Sequence, residues 1–287
     1  MIQDIFPHRF RLDYQCSLPG EGDPVFVFRG ANKREDRALV SEAGEGVLPT
    51  YGGLLAAGAI TDIGQLQFLF SIDETAYYLL NNGGTADIEL PGFAYVAIRS
   101  FSSGGMAAAL AFAGMTAYHL FSWYRDTIHC GRCGHKMVPF AAERAMECPA
   151  CRNLVYPKLM PAVIIAVKDG ERLLVSRYAG REYSGLALLA GFCEVGETLE
   201  QTIAREVQEE VGLRVKNITY FGSQPWGVDS NLLVGFIADV DGSTEIHMDK
   251  QELAAAGWVE RSEIEPPQNL ASLTATMMEA FRTGQIR

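Results

Sequence analysis

The stretch GFCEVGETLEQTIAREVQEEVGL, residues 191–213, decides how this chain is read. Leu199, Ile203, Val207 and Val211 recur at four-residue spacing, which predicts a helix over 198–211 with one apolar ridge. Thr198 is a suitable N-cap, and Gly212 supplies the left-handed residue on which such a helix ends. At about 100° per residue, Glu206 and Glu210 fall beside the ridge and Glu209 lies just beyond them. Like charges three or four residues apart cost roughly 0.2–0.5 kcal/mol per pair in water. Partly desolvated, at an effective dielectric near 20 and a separation of about 5–6 Å, the cost approaches ~3 kcal/mol. Arg205 can neutralise one of these carboxylates but not three. A divalent cation resolves the conflict; the alternative is an ordinary solvated glutamate face.

The surroundings favour the cation. Gly191, Glu197, Arg205-Glu206-Val207, Glu209-Glu210 and Gly212-Leu213 stand at the spacing G-x5-E-x7-R-E-U-x-E-E-x-G-U, with U aliphatic. At every position this resembles the signature of Nudix hydrolases. The resemblance implies a loop–helix–loop that holds magnesium or manganese against a nucleoside diphosphate linked to another group.

Six cysteines divide informatively: Cys130, Cys133, Cys148 and Cys151 form C-x2-C-x14-C-x2-C, while Cys16 and Cys193 stand alone. Two C-x2-C pairs at this spacing read as a closed tetrahedral zinc site rather than disulfides. With all four ligand positions filled, that zinc is structural. Cys193 sits at a variable position of the glutamate motif and reads as a small core residue.

A length of 287 residues allows one large or two modest domains, and 48% apolar residues support a sizeable core. A net charge of −11 argues against broad, nonspecific nucleic-acid binding. The run GGMAAALAFAGMTAYHLF, residues 104–121, is rich in Gly and Ala and reads as a buried helix rather than a membrane span. The first residues show no targeting pattern. The expectation is a cytoplasmic protein with no membrane partner.

Three parts are expected: an N-terminal α+β domain over 1–125, a zinc ribbon over 126–158 and a Nudix domain over 159–287. In the last part, PAVIIAVKDGERLLVSRY reads as a hairpin about Asp169-Gly170. LALLAGF, NITYFGSQPW, NLLVGFIADV and AAGWVER read as strands, and residues 270–282 as a closing helix. The expected fold is α/β, an α/β/α sandwich on a mixed sheet. Strand candidates in the first part include VFVFRG, QLQFLFSI, TAYYLLN and FAYVAIRSF.

This order of parts, with CGRCGHKM at the first cysteine pair and VYPKLMPAVIIAV after the second, resembles the NADH pyrophosphatase group of Nudix hydrolases. That group carries S-Q-P-W-P-F-P-x-S after the glutamate motif. Here Ser223-Gln224-Pro225-Trp226 match, and Gly227-Val228-Asp229 do not. Glycine and aspartate at the proline positions are expected to loosen this loop.

The resemblance implies metal ligation by Glu206 and Glu210, with Glu209 a further ligand or base and Glu252 a later metal-site glutamate. Arg205 would orient the carboxylates and Glu197 would pair with it. Substrate contacts implied are Tyr156, Ala190, Gln224, Pro225, Trp226 and Thr274, with Arg99 the N-terminal domain's candidate. Trp226 reads equally well as a core residue. The expected reaction is hydrolysis of the diphosphate bond of NADH or NAD+ to nicotinamide mononucleotide and AMP, by a homodimer. NAD-capped RNA is a second candidate substrate, because residues 123–161 hold six Lys/Arg against three Asp/Glu. The alternatives are a Nudix hydrolase of another nucleoside diphosphate, such as ADP-ribose, FAD or a dinucleoside polyphosphate, and a non-enzymatic sensor or adaptor.

Overall fold

The computed structural model describes residues 1–14, 18–42, 46–85, 87–103, 105–180 and 185–286; Cys16 lies outside them. The chain divides into two compact units, one of Ile2–Lys158 with Trp226–Ser230, the other of Met1, Leu159–Pro225 and Asn231–Arg287.

The first unit begins with β1 (Phe10–Arg11), β2 (Val25–Phe26), β3 (Phe28–Arg29) and β4 (Arg37–Ser41), then α1 (Tyr51–Ala56). It continues through β5 (Leu66–Ile72), β6 (Thr75–Leu80), β7 (Phe93–Ala97) and the long helix α2 (Ala108–Asp126). Among the described residues these strands form two sheets, ordered β1-β5-β6-β2 and β3-β4-β7. The stretch VFVFRG reads as one strand but serves both sheets: β2 pairs in parallel with β6, while β3 pairs antiparallel with β4. Helix α2 runs five residues beyond the apolar segment that predicts it, because Trp123 and Tyr124 are also buried. It is tied down at Asp36, whose fully buried carboxylate accepts from Tyr118 Oη at 2.6 Å and from Arg125 Nη1 at 2.8 Å. Burial, then the Asp36 carboxylate, push the Tyr118 phenol well above its usual range, so it remains a donor. No helix among the described residues is long and apolar enough to cross a membrane.

The same unit contains a small three-stranded sheet of β8 (Val138–Pro139), β9 (Met146–Glu147) and β10 (Leu154–Val155). Cys130, Met137, Met146 and Cys148 share one buried cluster with Phe28, Phe121 and Tyr124.

The second unit is built on β11 (Met160–Asp169), β12 (Arg172–Tyr178), β13 (Leu189–Phe192), β14 (Val215–Trp226), β15 (Asn231–Val240) and β16 (Leu253–Glu260). Its sheet is ordered β14-β15-β11-β12-β16, with β13 pairing β11. Asp169 pairs with Arg172 across the expected hairpin. β11 lies parallel to β15 and antiparallel to β12 and β13, so the sheet is mixed. Val163, Ile165 and Val167 enter one cluster with Ile203, Val207 and Val211, whereas Ile164 and Ala166 enter another with Met277 and Phe281. That two-residue alternation in a continuous apolar run is what a strand buried on both faces requires. Helix α3 (Leu199–Val211) covers one face and α4 (Leu273–Arg282) the other, an α/β/α sandwich.

Candidate functional sites: a glutamate helix and a four-cysteine centre

Helix α3 forms as its sequence dictates. Thr198 Oγ1 accepts from Gln201 N–H and the Gln201 side chain returns to Thr198 N–H, a closed capping box. Gly212 ends the helix at φ 70°. The ridge is fully buried at Ile203, Val207 and Val211. Glu206 and Glu210 go in with it, 8% and 1% exposed, while the Glu209 side chain is 60% exposed. Burying two carboxylates on one helix costs free energy unless each is compensated.

Arg205 supplies part of the compensation, and it does more than the sequence suggests. Its Nε and Nη2 donate to both oxygens of Glu197 at 2.6 and 2.9 Å, a two-pronged clasp. Nη1 also donates to Glu206 Oε1 at 2.8 Å and Glu209 Oε2 at 3.0 Å, and Nη2 to Phe192 O at 3.0 Å. One guanidinium thus touches three carboxylates rather than one. Arg205 above all, then the Glu194 N–H and Thr202 Oγ1 that Glu197 also accepts from, hold its pKa down at about 2 against burial. Glu206 moves the other way: burial raises its pKa, Arg205 opposes that, and the charges of Glu209 and Glu252 add to the rise. Glu252 stands in the loop immediately before β16.

Gly191, the first residue of the motif, makes room for this arrangement. A Cβ at that position would stand 1.9 Å from Glu206 Cδ and Oε1. The hard carboxylate donors of α3, buried where their charge is disfavoured, fit a divalent cation. The glutamate oxygens do not gather as tightly as the thiols: among the described residues, the cysteines form the cluster whose ligand atoms all lie within 4.8 Å.

The Sγ–Sγ distances of that cluster are 3.7 Å for Cys130–Cys151 and 3.4 Å for both Cys133–Cys148 and Cys133–Cys151. A tetrahedral zinc with bonds of about 2.3 Å sets sulfur atoms about 3.8 Å apart, so the four thiols fit. Their acidities show the same need. The Arg132 N–H pulls Cys130 down to about 6. Cys133, against the lowering pull of the His135 N–H, is pushed up to about 12 by Cys148 and Cys151. Four thiolates this close ionise together only around a cation. Cys193 is half-buried, its Sγ over Glu197 O at 3.6 Å.

The residues expected to read the substrate are dispersed. Ala190 lies in β13 opposite Ile164, and half-buried Thr274 in the first turn of α4. Tyr156 is half exposed and donates to Glu143 Oε1 at 2.8 Å. Arg99 is exposed in a short 3-10 turn after β7. Half-buried Pro225 lies in β14. Gln224 precedes it in the same strand. It is fully buried, its Nε2 donates to Ala271 O at 2.7 Å, and its Oε1 accepts from Leu273 N–H. Both ends of its amide are spent on the backbone entering α4.

The divergent loop also differs from expectation. Trp226–Ser230 belongs to the first compact unit, where Val228 is buried and Trp226 packs on its core cluster. Far from loosening the loop, Gly227 is required: a Cβ there would lie 2.0 Å from Met115 O, a backbone atom of α2 that cannot swing aside. Asp229 pairs with Lys33 at 3.5 Å. A P-F-P sequence here cannot be restored without displacing α2. Gly227→Ala should cost about 1–3 kcal/mol or more by overpacking, measured as a lowered midpoint in urea; unchanged stability would show that the loop packs elsewhere.

Sequence reading missed the motif's own exposed apolar residues, Phe192 at 49% and Val195 at 104% exposure. Two large apolar side chains left in solvent beside a set of carboxylates were the available signal.

Residues 158–281 match the family model of the NUDIX domain, and residues 125–156 that of the NADH pyrophosphatase zinc ribbon domain. The NAD-capped RNA hydrolase NudC of Citrobacter koseri is 45% identical over 139 residues, 48% of this chain and 54% of that protein. The protein of the same name from Escherichia coli is 44% identical over the same share of each. The chain thus spans about half the length of the curated relatives it matches. A solved NUDIX hydrolase from Nitrosomonas europaea is 21% identical with a TM-score of 0.46, covering 55% of this chain and 92% of that one. Helix α3 falls within the first match and the four gathered thiols within the second, and the chain carries a NUDIX domain behind an NADH pyrophosphatase zinc ribbon.

Proposed function

We propose that this protein hydrolyses the diphosphate bond of NADH or NAD+ to nicotinamide mononucleotide and AMP. The observation that carries the reading is the α3 glutamate set with its Arg205 hub, in a chain whose ribbon is of the NADH pyrophosphatase kind. Glu206, Glu209, Glu210 and Glu252 would hold Mg2+ or Mn2+. That ion, when bound, supplies charge neutralisation on the diphosphate oxygens and a more acidic water. The chain's own residues do the rest. Arg205 fixes Glu206 and Glu209 through Glu197, so the carboxylates are oriented before substrate arrives. Glu209, a further ligand or the base, would in the second role take the proton of the attacking water, and its exposure supports that role. Water adds to one phosphorus, the bridging P–O bond breaks, and two monophosphates leave.

The three parts proposed are 1–125, 126–158 and 159–287, with a structural Zn2+ in the second. NAD-capped RNA is the second substrate of this reading, supported by the chain's similarity to proteins named NAD-capped RNA hydrolase NudC. The homodimer and the cytoplasm belong to it too; reduced, metal-held thiols persist in that compartment.

Phe192, 49% exposed and with its carbonyl bonded to Arg205, offers an aromatic ring beside the glutamates. Phe192→Ala should raise KM for NADH about tenfold, for a stacking loss of ~1–3 kcal/mol, with little change in melting temperature. Trp226→Ala should do the reverse, lowering stability with KM within about twofold. Equal KM effects from both would return Trp226 to the substrate pocket. The reading as a whole is tested with Mn2+ and a panel of NADH, NAD+, ADP-ribose, FAD and diadenosine polyphosphates. NADH is expected to show the highest kcat/KM; a preference of about tenfold or more for a compound without nicotinamide selects the alternative substrate class.

A further inference from the structure

Helix α3 ends at Val211, and a helix end leaves its last carbonyls without intrahelical donors. Two of them are taken by a segment more than thirty residues downstream. His247 N–H donates to Val211 O and Asp249 N–H to Glu210 O, each at 2.9 Å. Ile246 and Met248, on the alternate positions, pack against the cluster that holds Val207 and Val211. The segment is therefore registered on the end of the glutamate helix by side chains and backbone together.

The chain then turns back toward the sheet, and Asp249 shapes that turn. Its Oδ1 accepts from Gln251 N–H at 2.8 Å, and its carbonyl accepts from Leu253 N–H at 2.9 Å. An aspartate bonding the backbone two residues on is an Asx turn, which holds a tight bend without glycine or proline. Glu252 lies inside it, its own carbonyl accepting from Ala179 N–H at 2.9 Å, and Leu253 is buried beside it. Of the glutamates proposed above as metal ligands, Glu252 does not sit on α3. Its distance from the others is set by this turn and by the bond from Asp249 to Glu210.

We propose that Asp249 is a positioning residue that holds Glu252 in register with Glu206 and Glu210, so that loop and helix offer one joint cation site. The inference rests on the reading of those glutamates as ligands. Asp249 needs no contact with the ion: its side chain acts on Gln251 N–H and its backbone on Glu210 O.

The test is Mn2+ titration of the full-length protein, with free Mn2+ followed by electron paramagnetic resonance and kcat and KM for NADH measured alongside. Asp249→Ala removes the Oδ1 acceptor and should weaken Mn2+ binding about tenfold, the worth of one well-placed hydrogen bond, with KM at saturating Mn2+ within about twofold. Asp249→Asn keeps an acceptor at the same place and should recover binding to within about twofold of wild type. The double variant Asp249→Ala, Glu252→Gln should bind no more weakly than Glu252→Gln alone, because both act through one carboxylate. Wild-type Mn2+ affinity in Asp249→Ala, equal weakening in Asp249→Asn, or additive losses in the double variant would each overturn the proposal. If Asp249→Ala does not fold, Asp249→Ser carries the test, with a severalfold loss expected and an unchanged affinity overturning it. Glu252→Gln separates the two levels. If it binds Mn2+ like wild type, the ligand reading of Glu252 fails and the positioning role with it; if it is impaired while Asp249→Ala is not, the positioning role alone fails.

Discussion

Replacing Glu210 by glutamine is expected to lower turnover of NADH about a hundredfold or more while the protein stays folded. Glutamine has the shape of glutamate, and the backbone carbonyl that anchors Asp249 is untouched. The loss is electrostatic. Glu210 is 1% exposed on the face of α3 that carries Glu206, so its charge acts through a poorly screened medium. Under the proposed reading, hard anionic ligands would hold the divalent ion whose charge stabilises the transition state, and losing one transition-state electrostatic interaction costs about two to three orders of magnitude. The measurement is kcat at saturating Mn2+, with circular dichroism and the melting temperature as controls for the fold. Wild-type turnover in Glu210→Gln would remove this residue from the mechanism.

The second large effect is structural. Cys148 is fully buried, and its thiol lies 3.4 Å from that of Cys133. Cys148→Ser removes one of four soft ligands, and a closed zinc site does not tolerate three. Because ligation provides much of the folding free energy of such ribbons, zinc content and stability should fall together, with a melting temperature about 10 °C lower or more. The effect should not stay local. Cys130, Met137, Met146 and Cys148 belong to the same buried cluster as Phe121 and Tyr124 of α2, so the whole first unit should soften. Elemental analysis finding no zinc in well-folded wild-type protein would contradict this.

The features legible in the sequence are those fixed by short-range rules. The capping box at Thr198, the left-handed Gly212 and the buried ridge of α3 follow from residues within one helix. The thiol cluster follows from two knuckles whose internal spacing is local. The β11–β12 hairpin follows from its turn and two apolar runs. Features that depend on distant partners were hidden. Gly227 looks like a loosening substitution until the Met115 carbonyl of α2 is seen beside it. Gln224 looks like a ligand-facing amide until Ala271 and Leu273 take both its ends. VFVFRG has the pattern of one strand, and only tertiary pairing splits it between two sheets. Arg205 reaches three carboxylates because β13 brings Phe192 O, and with it the loop of Glu197, under the guanidinium. Helical periodicity describes one helix face and carries no information about that loop.

Hydrolysis of NADH in 18O-labelled water with Mn2+, followed by mass spectrometry of the products, tests the central claim most directly. The account predicts AMP and reduced nicotinamide mononucleotide in equal amounts, with one 18O atom in the phosphate of one of them, as attack of water on a single phosphorus requires. Recovery of intact NADH, or cleavage that releases free nicotinamide and leaves the diphosphate whole, would contradict it.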